Sequence, residues 1–150
     1  MKKAFLLFLI TAICGAAVFA QNANTKPTSM PAGIADWTGE DSDKILNDAV
    51  ITARLKKLLG KKNYPAFMDS FETLTPIEKN GAVLFASGCL IHACLHVESA
   101  IAIDLANDTI HAAIFRDDKK TVYFNEKGTK TPGVISGWST RLRNLRSDKD

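Results

Sequence analysis

The longest periodic run of apolar residues lies at 45–59. There Ile45, Leu46, Ala49, Val50, Ala53, Leu55, Leu58 and Leu59 recur as one broad helical side. The spacing predicts a helix over 43–59. Asp41 and Ser42 are N-cap types ahead of it, Lys56 and Lys57 suit its last turn, and Gly60 suits the position just beyond. Pro65 predicts the start of a second, short helix whose apolar face, Phe67, Met68 and Phe71, packs into a core.

The period then changes. Residues 74–78 read as a short edge strand, because Pro76 is unsuited to a central one. Asn80-Gly81 is a hairpin turn signal, and 82–86 is a continuous apolar run of the kind buried on both faces. Further on, Ile101, Ile103 and Leu105 alternate with Ala100, Ala102 and Asp104. After the turn at Asn107-Asp108, Ile110, Ala112 and Ile114 alternate with His111, Ala113 and Phe115. A polar turn at 117–120 leads to a last strand at 121–125, with Val122 and Phe124 on one face. This is an antiparallel meander, and the alanines on one of its faces predict a closely packed helix there. Residues 125–133 read as loop. From Val134, Ile135, Trp138, Leu142 and Leu145 share one helical side, with Arg141, Arg143 and Arg146 among them and Gly137 weakening the pattern. Residues 148–150 are expected to fray. The predicted class is α+β.

The N-terminus changes the chemical setting. Lys2 and Lys3 precede an apolar stretch at 4–19, and Val18-Phe19-Ala20 offers small residues at the −3 and −1 positions of a cleavage site. Residues 1–20 therefore read as a secretory signal, 21–40 as a flexible leader on which Ile34 and Trp37 are placed to dock, and 41–150 as a single domain. A periplasmic or secreted location follows, with no membrane attachment after cleavage. Of 19 lysines and arginines two leave with the signal, so 17 face 16 acidic residues, a formal net charge of +1. That balance argues against nucleic acid as a partner. Cys14 also leaves, so Cys89 and Cys94 remain as one even pair that an oxidising compartment favours as a disulfide.

Cys89-Leu90-Ile91-His92-Ala93-Cys94 is the segment with chemistry to offer. A disulfide across four residues stiffens a loop, histidine at its centre can donate, accept or carry charge, and Leu90, Ile91 and Ala93 gain from burial in a partner. Two other readings stay open. Cys89, His92, Cys94 and His96 form a C-x-x-H-x-C-x-H set that copper or zinc accepts, in a periplasmic metal-binding or envelope interaction protein. Alternatively the pair is a plain staple and His92 a solvated bystander. His96 and His111 read as residues on strand faces or near the core surface, and Glu98 as a solvated strand residue. No Ser/His/Asp arrangement, phosphate-cradling glycine loop or paired-carboxylate motif stands out, so a non-enzyme without cofactor is expected.

The Cys89-x-x-His92-x-Cys94 segment resembles the Cys-Lys-Pro-His-Asp-Cys loop of the Ivy family, the inhibitors of vertebrate lysozyme. The order of the flanking features is similar over residues 45–127: a helix ending near Gly60, Tyr64-Pro65-Ala66-Phe67, Thr75-Pro76, a strand into the first cysteine and apolar strands after the second. Leu90, Ile91 and Ala93 stand where the family has Lys, Pro and Asp. The resemblance implies an antiparallel sheet of about five strands packed with helices and a projecting disulfide-closed loop. It implies that the loop enters the active-site cleft of a c-type lysozyme and that His92 meets the catalytic carboxylates. Lytic transglycosylases are a second candidate target, and homodimerisation stays open.

Overall fold

A computed structural model describes residues 29–117 and 119–147. The expectations for 1–20, for 21–28, for Asp118 and for 148–150 lie outside these residues. Ile34, in a short helical turn at Ile34–Trp37, is buried in the core, and Trp37 packs beside it.

The predicted helix over 43–59 is two helices. α1 (Asp43–Asn47) stops where Asp48 turns to extended backbone, and α2 (Ala49–Met68) begins after it. The break has a local cause: Asp48 Oδ1 accepts the N–H groups of Val50 and Ile51, both at 2.9 Å, so Asp48 caps α2 instead of continuing α1. Ser42 caps neither helix with its side chain, and its hydroxyl donates instead to the Thr75 carbonyl. Gly60 interrupts α2 with φ 68°, ψ 174°, a conformation open to glycine. The helical path resumes directly, and Pro65 sits inside it instead of opening it. Phe67 and Phe71 are buried, their ring centroids 4.9 Å apart.

The sheet is antiparallel throughout and has six strands: β1 (Thr73–Leu74), β2 (Glu78–Asn80), β3 (Val83–Cys89), β4 (Val97–Asp104), β5 (Thr109–Arg116) and β6 (Val122–Asn125). The order is β1-β3-β4-β5-β6, with β2 also paired to β3. The single edge strand expected at 74–78 is thus split in two. Pro76 has no N–H to give to β3, and it bridges to Asp41 instead. β3 runs three residues beyond the 82–86 apolar run and ends on the first cysteine.

Register sorts the side chains onto two faces. Leu84, Ile103 and Ile110 lie in one rung, and Ala86, Ile101 and Ala112 in the next; both rungs pack under α1 and α2. The opposite face carries Ala100, Ala102, Ala113, Phe85 and Phe115, covered by Ile135, Trp138 and Leu142 of α3 (Gly133–Ser147). The small residues let α3 approach closely, as the alternation predicts. The sheet is held between helices on both sides, and burial of each large aliphatic side chain contributes about 1.5–3 kcal/mol.

Candidate functional site

The connection between β3 and β4 stands at the end of this sandwiched sheet. β3 delivers Cys89 as its last residue, buried, with Glu98 as its partner on β4. Cys89 and Cys94 are joined by a disulfide across a Cα–Cα distance of 5.0 Å. Leu90 N–H donates to Val97 O at 3.1 Å, so the ladder continues one step past the strand. Ala93 N–H donates back to Leu90 O at 2.9 Å and closes a four-residue turn. His92, third in that turn, has φ 63°, the positive value that a type II turn requires there. His96 and Val97 N–H then donate to Ala93 O and turn the chain into β4.

The tip faces outward. Ile91 is 49 % exposed and His92 is exposed. Two carboxylates reach the loop from outside the ring. Glu72 Oε2 accepts Ile91 N–H at 3.0 Å, and Glu98 Oε1 accepts Leu95 N–H at 2.8 Å. Glu98, expected to be a solvated strand residue, is only 9 % exposed: it lies between Cys89 and Phe115 in the sheet, and its carboxylate binds the Leu95 N–H.

The three histidines occupy three different settings. His111 is buried, with Asn125 Oδ1 2.8 Å from Nδ1 and Thr109 Oγ1 3.1 Å from Nε2, which accounts for both ring nitrogens inside the sheet. His96 Nδ1 lies 2.5 Å from Asp117 Oδ2, and Arg146 of α3 also pairs with that carboxylate. Among the described residues, His92 alone of the three makes no side-chain hydrogen bond or ion pair. Its imidazole therefore enters any complex with both nitrogens open.

The metal set Cys89, His92, Cys94 and His96 is not assembled as a ligand cluster. Both sulfurs are spent on each other, and His96 is committed to Asp117. Among the described residues, no group of three or more His, Cys, Asp or Glu is arranged to hold a metal ion.

A second polar constellation lies at the far end of the sheet and was not anticipated. Arg54 of α2, 6 % exposed, binds Glu126 through Nε at 3.1 Å and Nη2 at 2.5 Å, and Asp108 through Nη1 at 2.8 Å. It lines a cleft of about 300 Å³ with Lys57, Leu58, Asn125, Glu126 and Lys127. The hydrogen bond from Arg54 to Glu126 raises the guanidinium above its usual range against the opposing pull of burial. Burial works to raise the Asp108 carboxyl. Hydrogen bonds from Arg54 and Met30 N–H, with the charges of Arg54 and Lys127, outweigh it and hold that carboxyl below its usual range. The available sequence signal was an arginine inside the apolar stripe of the helix, between Ile51 and Leu58. With both carboxylates bound to Arg54, this cluster fastens the β4–β5 and β6–α3 connections to α2.

Among the described residues no helix is long and apolar enough to cross a membrane. The family model described as inhibitor of vertebrate lysozyme, Ivy, matches residues 50–146, a span running from the start of α2 through the Cys89–Cys94 loop to the last turn of α3. No curated protein and no solved structure matches the chain. With the family match covering the sheet, the loop and both major helices, the chain belongs to the Ivy family of inhibitors of vertebrate lysozyme.

Proposed function

We propose that this protein inhibits c-type lysozyme by inserting the Cys89–Cys94 loop into the active-site cleft, with His92 at the catalytic carboxylates. The observation that carries the reading is the unpartnered, outward His92 at the apex of a covalently closed turn, beside the exposed Ile91. A c-type lysozyme cleft holds two carboxyl groups, one of them a general acid kept protonated by its apolar surroundings. An imidazole seated between them can hydrogen-bond to both, and as imidazolium it forms charge-assisted bonds. Either arrangement occupies the space of the scissile sugar. Ile91 adds apolar area at the tip, and the closed ring limits the entropy lost on entry.

The setting is an export pathway: residues 1–20 act as a cleaved signal, 21–40 as a leader, and 41–150 as the inhibitory domain in the periplasm or outside the cell. The formal charge of +1 on the mature chain gives little long-range attraction to a basic enzyme, so complex formation relies on the fit of the loop more than on steering. The test is an activity assay of the oxidised mature protein against c-type and other lysozymes and a lytic transglycosylase. Inhibition of the c-type enzyme with a one-to-one endpoint is expected. Full activity of c-type lysozyme at micromolar excess overturns the reading, and inhibition of the transglycosylase alone reassigns the target.

A further inference from the structure

We propose that Glu72 and Glu98 are positioning residues that hold the Cys89–Cys94 loop in one conformation from outside the disulfide ring. The inference deepens the inhibitor reading and rests on it for its consequence in binding.

The disulfide alone does not determine the shape of the tip, since it fixes the two ends of a ring with four free residues between them. In this chain those residues are Leu90, Ile91, His92 and Ala93, none of which is proline or carries an acidic side chain. The tip contains two backbone positions that oppose disorder only if they are held. His92 at φ 63° and Leu95 at φ 73° are both in the left-handed region, which costs a non-glycine residue energy and persists where the surroundings enforce it. Each strained residue has a carboxylate bond at or next to it. Glu72 Oε2 accepts the N–H of Ile91, the residue before His92, and Glu98 Oε1 accepts the N–H of Leu95 itself. Bonds from N–H to a carboxylate are stronger than neutral ones.

Both carboxylates are delivered by the fold. Glu98 lies opposite Cys89 on the neighbouring strand, with Phe115 opposite it on the other side, and is nearly buried. Glu72 sits in the short link between α2 and β1, which passes very close to β3 at Gly88. A Cβ at that position would lie 2.7 Å from the Phe71 ring and 2.9 Å from Thr73 O, so only glycine admits the approach that sets Glu72 beside Ile91. The strand, the link and the missing side chain together build a two-point clamp on the loop.

The experiment is amide hydrogen exchange by NMR on the oxidised full chain, for wild type, Glu72→Ala, Glu98→Ala and Glu98→Gln, with affinity for c-type lysozyme measured in parallel. The expected result is exchange about tenfold or more faster at Ile91 in Glu72→Ala and at Leu95 in Glu98→Ala, with sheet amides such as Ala102 unchanged. Glu98→Gln, which keeps an acceptor oxygen, should recover most of the protection. Affinity should fall about tenfold in each alanine variant, as the loop must then be ordered on binding. Unchanged exchange at Ile91 and Leu95, in variants whose sheet remains protected, overturns the clamp. Faster exchange with unchanged affinity overturns its part in binding. If the wild type itself does not bind lysozyme, the inhibitor reading falls, and the exchange rates still decide whether the clamp exists.

Discussion

The β4–β5 turn is fastened to the body of the protein, whereas the β3–β4 loop is fastened mainly to itself. Both join neighbouring antiparallel strands of one sheet. In the β4–β5 turn, Asp104 accepts the N–H groups of Ala106 and Asn107, and Asp108 is bound by Arg54 from α2 and by Met30 N–H. Its carboxylates find their partners within the turn or on the body beside it. In the β3–β4 loop the cross-link is internal and Ile91 and His92 are exposed, while Glu72, Glu98 and the Asp117 N–H bind its backbone from the fold around it. A connection whose side chains are all spent on its own protein has nothing left for another. The loop is stiff without being satisfied, which is the condition a binding element needs.

The contrast can be broken from either side. The largest effect on stability is expected at the fastened end. Arg54→Leu leaves the Glu126 carboxylate, mostly buried, and the half-exposed Asp108 without their cation. It should cost about 3 kcal/mol in urea unfolding, the low end for a broken buried pair because Asp108 is partly solvated. The loop and its affinity for lysozyme should be unaffected in the molecules that remain folded. The converse change, Cys89→Ser with Cys94→Ser, should cost about 2 kcal/mol from the loop-closure estimate for so small a ring. Its larger consequence should be a fall in affinity out of proportion to that loss, read by titration against the enzyme.

Acid provides a finer separation. The Asp104 carboxyl is lowered first by its hydrogen bond from the Asn107 side chain, and Asp108 is lowered as described above. For both, the folded-state pKa lies below the unfolded one. Their stabilisation is therefore complete above about pH 4 and disappears as pH falls through the folded-state values. The amides of Met30, Ala106 and Asn107, which donate to these carboxylates, should report that titration below pH 4 in NMR spectra. Shifts complete well above pH 4 would contradict the lowered values.

Much of this architecture was legible because its signals are local. The alternation of Ile101 and Ile103 with Ala100 and Ala102 states both the strand and the helix that covers it, since small residues on one face leave room for α3. The cysteine pair states its own bond once export is inferred. The errors come from residues whose role is decided elsewhere in the chain. Asp48 fits a helical period as well as it fits a cap, and the choice depends on where α2 must point. Pro76 splits an edge strand because it has no N–H to give to β3, and its bridge to Asp41, far back in the sequence, is announced by nothing near it. Arg54 lies 54 residues from Asp108 and 72 from Glu126, so nothing near it announces the pairing. Glu98 looks like a solvated strand residue, and its burial between Cys89 and Phe115 depends on strand pairings set by the register of the sheet. The disulfide was readable from two cysteines, while the bond from Ile91 to Glu72 was not, because Glu72 meets Ile91 only through a close approach at Gly88.

An unpartnered His92 on a stiff loop does the inhibiting in the proposed function. That role is tested most directly by titrating c-type lysozyme with wild type and His92→Ala, alongside their unfolding curves. His92 is exposed and makes no side-chain hydrogen bond or ion pair among the described residues, so stability should agree within about 0.5 kcal/mol, as for an ordinary surface change. Inhibition should weaken by about 30-fold or more, as expected for a buried central contact in a complex. A variant that inhibits as well as the wild type would contradict the account.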